Sequence, residues 1–481
     1  MPPPDRRRRA LVLAICCASM LVVGMDISIV NSALPWVRHD LDASPSGLQW
    51  TVDAYTLVLA SLLVLGGSTA DRFGRRRIFL LGLTVFGIGS LACGLAPTIG
   101  WLIAARVLQG IGGSMLNPVA MAIVANTYTE PAERARAIGV FGSTAGLALA
   151  LGPVVGGALV DGLGWRAVFM VNVPIVVTAV VLAARLVPES RAPRARRFDP
   201  VGQSLVVIVL GSVVYAVIES QTLGWSSPVI VGLAVLAVLG IAGVLAYEPR
   251  RADPLLELRL FRSVPFSAAI GTALCALCGF NAFLFVITLY LQNTRGMSAL
   301  AAGLCLLPVG VLTVVLSPVT GRLVGALGPR IPLLVAGAAM AVGGAIALEL
   351  SPGSPLPTVL AVCGAIGVFL GTVNPPITQT AISGMPRSMA GVAGSLASVG
   401  RQTGTTLGVA IAGTIVGPAL ASGPLAYTDA AQAVWWLVLA LGIVVAALAV
   451  LSTGPWARGT AERAAALFCD LDVVPSQRSA A

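Results

Sequence analysis

The sequence predicts an all-α polytopic membrane protein with fourteen transmembrane helices. Hydrophobic residues make up 57% of its 481 residues, and charged residues make up only 10%. A soluble domain carries roughly 25% charged residues, so most of this protein's surface must face lipid. The apolar residues also fall into repeated runs of about 20 or more, which is the length that crosses a bilayer as a helix.

The individual spans follow from the apolar runs between charged or Pro/Gly-rich breaks. The first run follows a basic segment, as in a signal peptide, but it continues to Ala33, and we interpret it as an uncleaved span. To within a few residues, the spans are predicted at 10–33, 48–70, 78–96, 101–125, 136–160, 165–187, 201–219, 229–247, 264–291, 300–324, 330–349, 356–382, 389–417 and 432–453.

The arginines predict the orientation of these spans. All 30 basic residues are arginine, and the net charge is +10. With the N-terminus in the cytoplasm, 25 arginines fall in cytoplasmic segments, whereas Arg38, Arg166 and Arg295 fall in outer loops and Arg106 and Arg401 within spans. Such a bias is the usual signal of topology, and it explains the basic charge without nucleic acid. Both termini are expected inside; twelve or thirteen spans would break the alternation.

An internal repeat predicts two related halves. GSTADRFGRR (67–76) follows the second span, and GRLVGALGPR (321–330) follows the tenth. Repeated halves are typical of transporters. The expected organisation is a six-helix bundle, a central insert with two extra spans, a second six-helix bundle and a cytoplasmic tail, over 10–187, 188–263, 264–453 and 454–481 respectively.

Metal binding and catalysis have little support in the sequence. The CALC segment at 275–278 has the spacing of a metal-binding pair, but neither a second pair nor a nearby histidine completes a site. The single histidine, His39, lies in an outer loop beside Asp40 and Asp42, where a solvated side chain is the ordinary interpretation. We therefore expect no metal, no cofactor and no enzymatic activity.

Three charged residues are predicted to share one depth in the membrane. At 1.5 Å per residue, Asp26 lies roughly 10 Å below the outer end of its span, and Asp53 and Arg106 lie roughly 8 Å into spans that begin outside. Charges at this depth face the bundle interior and pair. Two carboxylates beside one guanidinium leave one acid without a full partner, which favours proton handling at Asp26 and Asp53. The alternatives are a permanent salt bridge that fixes packing and, for Asp53, an interfacial position.

Two further motifs concern helix packing and the turn between spans 2 and 3. GLALALGPVVGGALV (146–160) combines close-packing glycines with a proline that bends the helix, at Gly152, Pro153, Gly156 and Gly157. In GSTADRFGRRR (67–77), Asp71 is suited to meet the positive end of a helix, and the arginines to meet carboxylates or anionic lipid. The alternatives are a kinked, close-packed helix and a plain basic turn that sets topology.

Taken together, these motifs resemble the major facilitator superfamily in its fourteen-span drug:proton antiporter branch. The similar segments are DISIVNSALP (26–35), GGSTADRFGRRR (66–77), RVLQGIGG (106–113), GPVVGG (152–157), WRAVFMVNVPI (165–175) and RQTGTTLGVAIAG (401–413). The resemblance covers nearly the whole chain. It departs at Ser68 and Thr69, which replace a usually more apolar pair, and in the second loop copy, which lacks the acid.

The resemblance implies the major facilitator fold and a role for each matching residue. Asp26 would be the proton-coupling carboxylate, and Arg106 would sense its charge. The residues that would latch the halves on the cytoplasmic side, when the cavity opens outward, are Asp71, Arg72, Gly74 and Arg75. The Gly/Pro segment 146–157 would be the flexible packing face between the halves.

The implied function is proton-coupled antiport of amphipathic drugs, antibiotics or secondary metabolites out of a bacterial cell by alternating access. An importer or a lipid or precursor flippase of the same superfamily is the alternative, and GPVVGG counts against import because it is associated with exporters. A membrane enzyme or receptor is a third possibility. The expected partners are a small amphipathic substrate, protons and membrane lipids, and the chain is expected to be a monomer.

The expected substrate cavity contains polar and aromatic residues at suitable depths: Asn31, Tyr55, Gln109, Asn281, Phe283, Asn374, Gln379, Arg401 and Gln402. Hydrogen bonding between helices is the alternative for the amides, and lipid contact is the alternative for the aromatics. The C-terminal half has an embedded arginine and no mid-span acid. This favours neutral or anionic substrates over multivalent cations.

Overall fold

A computed structural model of the chain describes residues 6–128, 130–191, 199–251, 256–383 and 389–468. Across these ranges the regular structure is helical, without a strand. Among the described residues, twelve helices are long and apolar enough to cross a membrane, or thirteen if one bent helix counts as a single span. The predicted all-helical, multi-span class is therefore confirmed. Part of the predicted central insert, 192–198 and 252–255, and the tail after residue 468 lie outside the described residues.

The first half of the chain folds into seven helices, and the two segments after it form a hairpin. Their bounds are α1 Arg6–Asp40, α2 Pro45–Phe73, α3 Arg75–Gly94, α4 Ile99–Thr127, α5 Pro131–Leu163, α6 Ala167–Met170, α7 Asn172–Leu186, α8 Pro200–Leu223 and α9 Pro228–Tyr247.

The second half begins with a long buried helix that ends in a π-helical turn, Tyr290–Thr294. The helices here are α10 Val264–Leu289, α11 Ala299–Cys305, α12 Leu307–Leu327, α13 Arg330–Ala347, α14 Leu356–Ile382, α15 Ala390–Val416, α16 Pro424–Ser452 and α17 Pro455–Ala466. The thirteenth predicted span, 389–417, corresponds to α15, a 27-residue helix that carries Arg401, Gln402 and several threonines.

Local sequence explains where several helices begin. A hydroxyl or carboxylate accepts a hydrogen bond from a free N–H of the first turn, which is the preferred way to start a helix. The capping residues are Ser44 for α2, Thr98 for α4, Asp199 for α8, Ser263 for α10 and Ser298 for α11. Proline follows several caps at the first helical positions, where its missing N–H costs nothing.

Proline also explains the bend in α5. The helix turns by 42° between the segments 136–149 and 151–163. Pro153 lacks the N–H that would donate to the carbonyl of Leu149, four residues earlier, and its ring crowds that carbonyl. The bend predicted from the GPVVGG segment is thus present.

The helices pack in two groups. In the first helix group, α1 to α7, helices α2 and α3 both lie against α4, and α1 lies against α5. In the second helix group, α10 to α16, helix α10 lies against α14, α15 and α16. The groups meet where α2 contacts α15 and where α5 contacts α11 and α12. Helix α8 of the hairpin contacts both α2 and α15.

The two ends of the helix groups differ in charge and in contacts. At the basic end, Arg9 pairs with Glu133 at 2.6 Å, and Arg75 N–H donates to Ser190 O at 2.9 Å, within the first helix group and the segment that directly follows α7. At the opposite end, called the Asp40 end, hydrogen bonds connect the two groups. They run from Arg38 Nη1 to Leu420 O and from Gln292 Nε2 to Ser32 O, each at 3.2 Å.

Candidate functional site

An ion pair is buried within the first helix group. Arg106 of α4 donates from Nη1 to Asp26 Oδ2 of α1, and both side chains are fully buried. Transfer of either charge out of water costs several kcal/mol per ion. Further hydrogen bonds to the remaining atoms of both groups offset part of that cost.

Two amides supply those hydrogen bonds to the carboxylate. Gln109 Nε2 donates to Asp26 Oδ1 at 2.9 Å, and Asn172 Nδ2 of α7 donates to the same oxygen at 3.2 Å. The Gln109 amide also bonds to the ion pair's cation, because its Oε1 accepts from Arg106 Nη1 at 2.7 Å. Gln109 Nε2 donates in addition to Ser90 Oγ of α3 at 2.8 Å. This set is called the Asp26 network below.

The guanidinium also contacts α2. Arg106 Nε donates to Thr51 O at 2.8 Å, and the guanidinium carbon lies 4.3 Å from the Tyr55 ring centre. A cation over an aromatic face is attracted by the ring quadrupole. Nη2 of Arg106 has no hydrogen-bond partner among the described residues. The Asp26 network therefore connects α1, α2, α3, α4 and α7.

Glycines let these helices approach closely. A Cβ at Gly89 of α3 would lie 2.6 Å from the backbone nitrogen of Gln109, and a Cβ at Gly110 of α4 would lie 2.9 Å from Tyr55 O. Contacts under 3.0 Å cannot be accommodated by rigid backbone. The RVLQGIGG segment thus places its Arg and Gln inside the bundle while its glycines permit the packing.

Asp53 lies on another face of α2. Its Oδ1 accepts from Thr56 Oγ1 at 3.4 Å, and within the described part of the chain its Oδ2 has no hydrogen-bond partner. Thr56 Oγ1 in turn lies 3.0 Å from Thr406 Oγ1 of α15. The structure therefore brings Asp26 and Arg106 together but leaves Asp53 beside the contact between the helix groups. A shared depth does not fix the direction in which a side chain points around its helix.

The glycines of α5 contact both helix groups. Gly152 packs against Ser28, and a Cβ at Gly156 would lie 2.8 Å from Ile29 Cγ1, both on α1. A Cβ at Gly157 would instead meet α11, 2.6 Å from Leu300 Cα. Pro153 O accepts from Ser32 Oγ at 3.4 Å. The GPVVGG segment is thus the packing surface of α5 on two sides.

The turn motif at the basic end bonds within its own helix group. Asp71 accepts from Arg75 Nε at 3.0 Å and Nη2 at 2.8 Å. Gly74 has a φ of 114°, which favours glycine, and its position leaves space for the Glu189 carboxylate, which accepts from Arg76 N–H at 3.1 Å. Arg72 is exposed, with its guanidinium carbon 5.5 Å from the Phe73 ring centre.

The residues predicted to line a substrate cavity fall into two classes in this structure. Five are buried in packed helices: Asn31, Tyr55, Gln109, Asn281 and Phe283. Tyr55 and Gln109 belong to the Asp26 network, and Phe283 packs 6.2 Å from the Trp435 ring. The remaining four, Asn374, Gln379, Arg401 and Gln402, are at least partly exposed.

Arg401 lies near the middle of α15. Its Nη2 donates to Ser398 Oγ at 2.7 Å, and no carboxylate of the described residues forms an ion pair with it. Near it, Asn281 Nδ2 donates to Thr405 Oγ1 at 3.2 Å. Within the described ranges, no group of three or more His, Cys, Asp or Glu side chains is arranged to hold a metal ion.

Sequence reasoning did not single out Asn172, Ser90 or Thr51. Asn172 falls within the WRAVFMVNVPI segment, where it is the only amide, and a buried amide in an apolar helix was the available signal. Ser90 is an ordinary small residue of a membrane helix, and Thr51 acts through its backbone carbonyl. Neither of these two has a signature in the sequence.

Comparison with known proteins supports one family. Residues 16–409 match the family model described as Major Facilitator Superfamily. The chain is 36% identical over 397 residues to the multidrug resistance protein Stp of Mycobacterium tuberculosis, covering 82% of this chain and 74% of that protein. It is also 36% identical over 402 residues to the tetracenomycin C resistance and export protein of Streptomyces glaucescens, with the same coverage of 82% and 74%.

Among solved structures, the fold is similar to that of the D-xylose-proton symporter. The TM-score is 0.65 with 15% sequence identity, and the match covers 92% of this chain and 97% of the symporter. At this identity the likeness concerns the fold alone. Together with the family match and the relatives, it shows that the chain is a multi-pass membrane protein that belongs to the major facilitator superfamily.

Proposed function

We propose that this chain is a proton-coupled antiporter that exports amphipathic drugs, antibiotics or secondary metabolites. We place it in the bacterial cytoplasmic membrane as a monomer with both termini inside. In this proposal the bundles 10–187 and 264–453 move against each other, so that a central site is open to one side of the membrane at a time. The insert 188–263 moves with them. The names of its relatives, which are drug resistance and export proteins, support the direction and the class of substrate.

The Asp26 network is the observation that carries proton coupling. Loss of one partner from a buried ion pair costs about 3–5 kcal/mol, because the remaining charge is left uncompensated. A proton on Asp26 would neutralise the carboxylate and free Arg106 to move. Transport would then follow the proton because the two access states differ in how well they accommodate charged Asp26.

The same arginine supplies a route to the contact between the helix groups. Arg106 Nε bonds to Thr51 O on α2, and two residues later Asp53 lies beside the α2–α15 contact. We propose that release of Arg106 shifts α2 relative to α15. Asp53, whose Oδ2 has no hydrogen-bond partner among the described residues, would be a second proton site at that contact.

The contacts at the two ends of the structure support one access state. Hydrogen bonds connect the helix groups at the Asp40 end, and the Asp71 motif at the basic end bonds within the first group. We propose that this is the cytoplasm-facing state. The motif Asp71, Arg72, Gly74 and Arg75 would contact the second group only after the transition to the outward-facing state.

The substrate site is proposed near the partly exposed polar residues of α14 and α15. Asn374, Arg401 and Gln402 would contact the drug, and Gln379 would lie nearer the basic end. Arg401 has no ion-pair partner in the described part of the chain, which favours neutral or anionic substrates over multivalent cations. The buried residues Asn31, Asn281 and Phe283 would contribute only where the helices separate.

Inside-out vesicles with an imposed acidic interior provide the test. Drugs of cationic, neutral and anionic class are added outside, and the pH inside is followed. Exchange of a drug for a proton raises the interior pH, and Asp26→Asn, inserted at equal level, serves as the matched control. Alkalinisation by the parent chain alone is the expected result. Equal alkalinisation by both chains would remove Asp26 from coupling, and drug uptake without a pH change would favour a flippase or another mode.

A further inference from the structure

A carboxylate of the first helix group caps a helix of the second. Asp161, near the end of α5, accepts from Ala299 N–H through Oδ1 at 3.1 Å and from Leu300 N–H through Oδ2 at 2.9 Å. Ala299 and Leu300 begin α11. These bonds lie at the Asp40 end, where the groups are in contact.

The capping of α11 is incomplete without this carboxylate. The first N–H groups of any helix have no partner within the helix. The hydroxyl of Ser298, the local cap, accepts from Ala301 N–H at 3.2 Å. The N–H groups of Ala299 and Leu300, which precede Ala301, bond to Asp161. The negative charge of this carboxylate also interacts favourably with the dipole of α11, because it lies at the helix N-terminus. Hydrogen bonds to an ionised acceptor are also stronger than neutral ones.

Close backbone contacts in the two turns before Asp161 fix the register of this cap. One turn before Asp161, Gly157 packs on Ala299 and Leu300. Further along the same contact, Gly303 of α11 packs on Pro153, where a Cβ would lie 3.1 Å from Val154 Cα. Glycine thus occurs on both helices at the points of closest approach. The cap forms only when α5 and α11 are fully packed.

We infer that Asp161 is the positioning residue that holds the Asp40 end closed. When the groups separate there, both N–H groups and the carboxylate must find water instead, so the bonds favour the closed state alone. Asp161 thereby sets the balance between the two access states. The inference rests on alternating access as proposed above, but on neither the proton nor the drug.

Thiol labelling of a buried reporter tests this directly. Ser32 of α1 lies where the groups meet at the Asp40 end, because its O accepts from Gln292 Nε2 of the second group at 3.2 Å, and it is 2% exposed. In Ser32→Cys, reconstituted as the full chain in nanodiscs, a bulky maleimide should react only when the Asp40 end opens. The chain that retains Ser32 gives the background from the native cysteines. No drug or pH gradient is needed, so failure of the proposed function would leave this measurement interpretable.

The expected order of the labelling rates follows from the number of acceptor oxygens that each variant keeps. Asp161→Ala should raise the labelling rate about tenfold, the change in population for loss of about one charged hydrogen bond. Asp161→Asn keeps one acceptor oxygen, so its labelling rate should lie between those of the parent chain and Asp161→Ala. Asp429→Asn removes a carboxylate from an exposed position near the start of α16, at the same end, and should label at the parent rate.

A second variant removes a donor and keeps Asp161. Ala299→Pro eliminates one N–H at the first position of α11, where proline is well tolerated, and Ser298 before it already has an extended ψ of 159°. It should also increase labelling. Parent-rate labelling in both Asp161→Ala and Ala299→Pro, with normal melting curves, would overturn the inference. Equal increases of the labelling rate in Asp429→Asn and Asp161→Ala would also overturn the inference, because the effect would then come from the change in net charge.

Discussion

Asn172 Nδ2 on α7 donates to Asp26 Oδ1 on α1 at 3.2 Å, and both residues are fully buried. This bond attaches the last helix of the first group to the carboxylate that pairs with Arg106. Asp26 therefore receives donors from two helices, α4 and α7. A change in the charge of Asp26 changes the contacts of both at once.

Asn172→Ala should destabilise the protein and slow efflux. Asp26 would keep the Gln109 donor but lose one bond to a charged oxygen, a loss of about 1.5–3 kcal/mol. We expect a lower melting temperature and an efflux rate reduced about tenfold. Asn126→Ala, which removes an exposed amide from the basic end of α4, is the matched control. Unchanged efflux in Asn172→Ala would mean that this bond serves packing alone.

Arg106→Lys should uncouple transport nearly as completely as Arg106→Ala. The guanidinium bonds to Asp26, Gln109 and Thr51 O simultaneously, and a lysine ammonium is a compact point charge without that fork. The charge is conserved but the connection from α1 to α2 is lost. The vesicle pH measurement decides this. If Arg106→Lys exchanged protons at the parent rate, charge alone would suffice and the proposed route through Thr51 would be wrong.

The fold and the Asp26–Arg106 pair could be predicted because both follow from one-dimensional quantities. Apolar run length gives the spans, and residue count along a helix gives depth. Asp53 shows the limit, since residue count along α2 does not reveal that its carboxylate bonds to Thr56, beside the α2–α15 contact, and not to Arg106. Asn172 shows another, because only the tertiary packing brings α7 beside α1. The breaks at Val171 and Leu306, which divide two predicted spans into α6 and α7 and into α11 and α12, likewise depend on how neighbouring helices pack.

Gly156→Leu should stop turnover by forcing α1 and α5 apart. A Cβ at this position already lies 2.8 Å from Ile29 Cγ1 and 3.0 Å from Ile29 O, and overpacking of this kind costs about 1–3 kcal/mol. Gly162→Leu is the control on the same helix, because nothing lies within 4 Å of its Cβ. Drug efflux by equal amounts of inserted protein is compared. Normal efflux by Gly156→Leu would remove the α1–α5 contact from the mechanism.

Acid should weaken the Asp40 end in a defined pH range. Hydrogen bonds from the Trp165 indole at 2.8 Å and the Arg166 guanidinium at 2.5 Å hold the pKa of the Asp40 carboxyl below its ordinary value of about 3.9. A lowered folded-state pKa gives stability that is fully present above the unfolded value and lost as pH falls through the folded one. Because Asp40 is half exposed, the effect is small.

The check is the melting temperature of the parent chain and Asp40→Asn in detergent between pH 7 and pH 3. The parent should be the more stable above about pH 4, and the difference should shrink below it. A difference that is constant across this range would show that the ionised carboxylate contributes nothing beyond the space it fills.

The α8–α9 hairpin is bonded to both helix groups through α8. Trp50 Nε1 of α2 donates to Glu219 at 2.8 Å, and its ring lies 5.7 Å from that of Tyr215. On the other side, Thr414 Oγ1 of α15 donates to Val217 O at 2.9 Å. Helix α8 thus spans the α2–α15 contact at the level where the groups are closed.

The Trp50–Glu219 bond should behave as one interaction in a double-mutant cycle. Trp50→Phe keeps a ring against Tyr215 but removes the donor, and Glu219→Leu removes the acceptor. Each should lower the melting temperature, and the double variant should be no less stable than the worse single one, with a coupling of about 1 kcal/mol or more. Trp225→Phe, at a ring that is 62% exposed, is the control. Strictly additive losses would mean that α8 is held by apolar packing, and that the hairpin can leave α2 without breaking a specific bond.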